Sequence, residues 1–79
     1  MGLKTLPLDS GRQLVRVFQS FGWVLRRSQS NHLVLTHPNV PRVVISIPDH
    51  QEVDRRLLKA EIRKAGLTDD EYRTRYDQL

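Results

Sequence analysis

Apolar positions in the chain fall into two helical stripes with a run of alternating segments between them. Leu14, Phe18 and Phe21 recur at i, i+4 and i+7, with Val15 and Val17 widening the stripe, which predicts an amphipathic helix over residues 10–21. Ser10 and Gln13 have the capping-box spacing at its start, and Gly22 closes it. WVLRR then reads as a short strand, and Ser28-Gln29-Ser30-Asn31 as a polar turn. HLVLTH is a second strand, broken by His37-Pro38-Asn39-Val40-Pro41, and VVISI over 43–47 is a third.

Successive strand residues point to opposite faces, so Leu33 and Leu35 share one face while His32, Val34 and Thr36 share the other. Val43, Ile45 and Ile47 form the more apolar side of the third strand. One face of the meander can therefore cover a helix. After the loop 48–52, a second helix starts near Val53 or Asp54 and buries Leu58, Ile62 and Ala65, with Gly66 as its left-handed cap and Leu67 following. Thr68-Asp69-Asp70-Glu71 is another capping box, which predicts a short third helix over 69–77. The fold class is α+β, in the order α-β-β-β-α with a three-stranded antiparallel sheet and a short extra C-terminal helix.

At 79 residues the chain is read as one domain over 1–79, near the lower end of what can bury its own core. With no cysteine there is no disulfide and no thiolate metal site, and no window approaches the length of a membrane span. The start MGLKTL carries no targeting pattern, and the chain reads as a soluble cytoplasmic protein.

The net charge of +4 hides an asymmetry. Residues 1–67 hold eleven cations against five carboxylates, whereas the last twelve residues hold two against four. Ten of the thirteen cations are arginine, whose planar fork suits phosphate. Arg55, Arg56, Lys59, Arg63 and Lys64 cluster on the second helix, where a row opposite the apolar stripe can lie along phosphates or can be a solvated face.

No Gly-rich phosphate loop, nucleophile elbow or metal-ligand spacing is present, and no cofactor is implied. Asp69 and Asp70 suit helix capping better than catalysis. The remaining inventory of histidines, arginines and hydroxyls suits metal-free RNA cleavage, because the 2′-OH is a built-in nucleophile needing only proton transfer and cations at the phosphate. His32 is the strongest candidate base, since imidazole titrates near neutrality and the preceding turn places it near a sheet edge. The plainer alternative is a partly exposed strand histidine with no task. His37 before Pro38 and His50 after Asp49 read as loop residues.

From Ser10 to about Thr68 the sequence resembles the HicA toxin family, also called YcfA-like proteins. The likeness is carried by the SGR opening of the first helix, FGW into the first strand, the histidine opening the second strand with HP after it, the strand ending in IP-x-H, and the closing KAGLT. The resemblance implies a core over about 10–67 with a helical extension over 68–79. It further implies a fold similar to a double-stranded-RNA-binding domain and the activity of an mRNA interferase, an endoribonuclease. The implied partners are mRNA and a HicB-like antitoxin. The family's catalytic histidine lies in a Gly-Ser-His motif aligned with Ser30-Asn31-His32. The histidine is kept; Asn31 suits the turn, while Ser30 lacks glycine's freedom at positive φ. On this resemblance His32 is catalytic, with Arg26, Arg27 or the second-helix cations Arg56, Lys59 and Arg63 near the phosphate. A non-catalytic RNA-binding module of the same fold is the alternative. A DNA-binding partner fits the charge but lacks a groove-reading helix.

Overall fold

In a computed structural model, which describes residues 5–79, the element order is α1 (Gly11–Ser20), β1 (Val24–Gln29), β2 (His32–Thr36), β3 (Val44–Pro48), α2 (Arg55–Lys64) and α3 (Asp69–Gln78). Of the start MGLKTL, residues 1–4 lie outside the described region. The strands form one antiparallel sheet in the order β1-β2-β3, giving the expected α-β-β-β-α layout with α3 added.

Each boundary has a local cause. Ser10 Oγ accepts from Gln13 N at 3.2 Å to start α1, but Ser10 N donates to Asp9 Oδ1 at 2.7 Å, so Asp9 fills the reciprocal role expected of the Gln13 side chain. Gly22 turns the chain with φ +96, and a Cβ there would fall 2.7 Å from His37 Nε2. β1 runs two residues beyond the expected WVLRR, because Ser28 and Gln29 pair with Leu33 and His32. The expected four-residue turn is therefore only Ser30-Asn31, at φ 51 and 64. Positive φ at both central residues is the two-residue hairpin whose twist matches its strands. Val43 donates its N–H to Val40 O at 3.0 Å, so it closes the preceding turn and β3 begins one residue later than expected.

Leu33, Leu35, Ile45 and Ile47 line one face of the sheet and are buried under Leu14, Val17 and Phe18 of α1 and Leu58 and Ile62 of α2. Phe21 and Ala65, expected at the ends of the two stripes, are only partly buried. Val53 and Trp23, outside the two helical stripes and the strand faces, are buried in the core as well. α3 starts with the full Thr68/Glu71 capping box and buries Tyr72 completely, its ring 5.3 Å from that of Phe18. The acidic C-terminal segment is thus a packed helix. No described helix is long and apolar enough to cross a membrane.

Candidate active site

His32 opens β2 with an exposed side chain on the face turned away from both helices. Its position follows from the hairpin. The left-handed turn brings the Ser30 carbonyl to 3.1 Å from His32 Nδ1. A carbonyl oxygen only accepts, so Nδ1 is the donor and the neutral ring carries its lone pair on Nε2. The hairpin thereby selects a tautomer and leaves the second nitrogen without a partner among the described residues, able to take a proton.

The same face receives both arginines of β1, for a reason the residue pattern conceals. Strict alternation would send Arg26 and Arg27 to opposite sides, but the β1–β2 register shifts between Leu25 and Arg27. Leu25 pairs with Leu35 on the covered face, while Arg27 pairs with Val34 on the open one. Arg26, the extra residue, donates from Nε to Thr36 Oγ1 at 2.9 Å, also on the open face. Gln29 pairs directly with His32. Ser46, opposite Val34, adds a further polar group to this face, which also carries Val24, Val34 and Val44.

Arg56, Lys59 and Arg63 lie elsewhere. They are exposed on α2, in the helix layer, with the sheet between them and the His32 face. Lys59 reaches Asp69 at 3.4 Å, and Arg55 Nε donates to the Leu6 carbonyl at 2.6 Å. Glu61, within the same helix, is buried: its Oε1 accepts from Ser46 N at 2.8 Å and meets Lys64 Nζ at 2.9 Å. The carboxylate satisfies an outward N–H of edge strand β3, which explains a charge at an otherwise apolar contact.

The three histidines differ in their free nitrogens. His37 Nδ1 accepts from Asn39 N at 3.0 Å, so Nε2 carries the proton and donates to Phe21 O at 3.1 Å. Its edge also meets Trp23, with ring centroids 5.2 Å apart. Both nitrogens are used, and His37 ties the end of β2 to the end of α1. His50 is exposed and engages α1 only through its carbonyl, which accepts from Gly11 N at 2.9 Å. Among the described residues no three His, Cys, Asp or Glu side chains assemble into a metal-binding group.

The model of the family described as the HicA toxin of bacterial toxin–antitoxin systems matches residues 11–67. The chain belongs to the HicA toxin family. It is therefore the toxin side of a toxin–antitoxin system, and the matched span runs from the first residue of α1 to just beyond the Gly66 cap of α2. Within that HicA region lie His32, both β1 arginines and the α2 cations, while α3 falls outside it. No curated protein matches the chain.

Proposed function

We propose that this HicA toxin is a metal-independent endoribonuclease, an mRNA interferase with His32 as its proton-transfer group, restrained in the cytoplasm by a HicB-like antitoxin. Residues 1–79 act as one unit, with 68–79 built onto the 10–67 core. The observation that carries this reading is the anchored imidazole: Nδ1 is held by Ser30 and Nε2 is free, on a face that also presents Arg26 and Arg27.

The chemistry follows from those groups. Nε2 takes the 2′-OH proton as the 2′-oxygen bonds to phosphorus, the bond from phosphorus to the 5′-oxygen breaks, and the imidazolium returns the proton to that leaving oxygen. The products are a 2′,3′-cyclic phosphate and a 5′-OH. The arginines hold the phosphate and offset its growing negative charge.

The test is His32→Ala, with unfolding and RNA cleavage measured together in the presence of a chelator. Stability should stay within about 0.5 kcal/mol of wild type, because the side chain is exposed. Cleavage should fall by a factor on the order of 10² or more. Undiminished cleavage refutes the role of His32, and chelator-sensitive wild-type cleavage refutes the metal-free route. Salt-sensitive RNA binding by a wild type that never cleaves selects the non-catalytic RNA-binding module.

A further inference from the structure

The end of β3 touches both the start of α1 and the turn that carries His32. Gly11 N donates to the His50 carbonyl at 2.9 Å, and a Cβ on Gly11 would lie 2.0 Å from the Pro48 carbonyl oxygen. Helix and strand end therefore meet without space for a side chain. The next residue, Arg12, grips Asp49 with two bonds, Nε to Oδ1 at 3.2 Å and Nη2 to Oδ2 at 2.9 Å. Asp49 in turn donates its own backbone N–H to the Asn31 carbonyl at 2.7 Å. Asn31 stands between Ser30, which holds the imidazole, and His32 itself.

We propose that Arg12 and Asp49 are positioning residues for His32, holding the left-handed turn at the depth and angle where the Ser30 carbonyl meets Nδ1. This rests on the catalytic reading of His32. The pair is poorly placed to serve stability: the Arg12 side chain is 72% exposed and that of Asp49 25%, and exposed ion pairs contribute little to folding. A two-bond fork, however, constrains orientation as a single contact does not. Through Asp49 N–H, the rigid α1 terminus fixes a turn that the two-residue hairpin alone would leave free to rock.

The experiment uses the full chain with Arg12→Ala, Arg12→Lys, Asp49→Ala and the Arg12→Ala/Asp49→Ala double variant. The imidazole tautomer is read by nitrogen-15 NMR of the free protein at a pH where the ring is neutral, beside thermal unfolding and cleavage kinetics. Each single variant should shift Tm by only a few degrees and convert His32 from one Nδ1–H form to a mixture. Cleavage should lose about ten- to a hundredfold in kcat with KM nearly unchanged, the effect of misplacing a catalytic group. Lysine should not rescue, and the double variant should be no worse than either single one. An unaltered His32 tautomer in Asp49→Ala overturns the proposal, as does an Arg12→Ala defect confined to KM that Arg12→Lys restores, since that identifies a direct phosphate contact. If the wild type cleaves no RNA, the tautomer measurement still decides the positioning role, and only the catalytic reading falls.

Discussion

The Phe18 and Tyr72 rings meet with centroids 5.3 Å apart and planes inclined at 51°, joining α1 to a helix that begins after the family-matched region ends. Phe18 also packs in the sheet core, so one ring links the family-matched layers to the appended helix. Around this contact Tyr76 Oη donates to Asp9 Oδ2 at 2.6 Å, Arg75 donates to the Ser20 carbonyl at 2.8 Å and lies over the Phe21 ring, and Arg73 donates to the Thr5 carbonyl. α3 thus closes over α1 and the segment leading into it.

Tyr72→Ala should cost about 3–5 kcal/mol, as truncating a buried aromatic does, measured by urea unfolding. Tyr72→Phe should be neutral or stabilising by about 1 kcal/mol, because the buried hydroxyl has no hydrogen-bond partner among the described residues. A loss as large as that of alanine would reveal a partner for the hydroxyl.

Burial also pushes the Tyr72 phenol well above its ordinary value of 10.0, with Tyr76 and Asp9 adding to the shift. The unfolded chain ionises this group at lower pH than the folded one. Its stabilising contribution is therefore complete below about pH 10 and is lost as pH rises beyond it. Tyr76, raised by its bond to Asp9, acts in the same direction. Unfolding midpoints should fall above pH 10 in the wild type and fall less steeply in Tyr72→Phe.

Ser30 at φ 51 bears a side chain where glycine is preferred. The left-handed conformation costs an ordinary residue about 1–2 kcal/mol, and glycine's extra unfolded-state freedom returns about 0.4–1 of that. Ser30→Gly should therefore stabilise the protein by about 0.5–1 kcal/mol, whereas β-branched Ser30→Val should destabilise it. Reduced stability in Ser30→Gly would contradict the left-handed turn.

Arg26 and Arg27 share the His32 face, and the α2 cations do not. On the proposed RNA reading, Arg26→Gln and Arg27→Gln should each weaken RNA binding and lower its log–log salt slope by about 0.7–0.9. Lys59→Gln and Arg63→Gln should leave kcat closer to wild type than the β1 substitutions do. Kinetics and binding at several salt concentrations check both statements. A larger kcat loss from the α2 pair would place the scissile phosphate on the helix layer.

Local pattern by itself determined the element order, the Ser10 cap of α1 and the capping box of α3, and the placement of Leu33/Leu35 and His32 on opposite faces of β2, because helix and strand periods and cap chemistry act over a few residues. It also singled out His32 by residue type and position, and the family resemblance implied the catalytic task proposed for it. Only the tertiary structure decided the rest. The register shift that turns Arg26 and Arg27 to one face depends on how β1 lies against β2. The inward turn of Glu61 depends on the unpaired Ser46 N–H across the α2–β3 contact. The saturation of His37 requires Phe21, sixteen residues away, and the burial of Tyr72 requires Phe18. These are contacts between chain-distant groups, and a one-dimensional pattern carries no record of which distant partner will satisfy a hydrogen bond or fill a space.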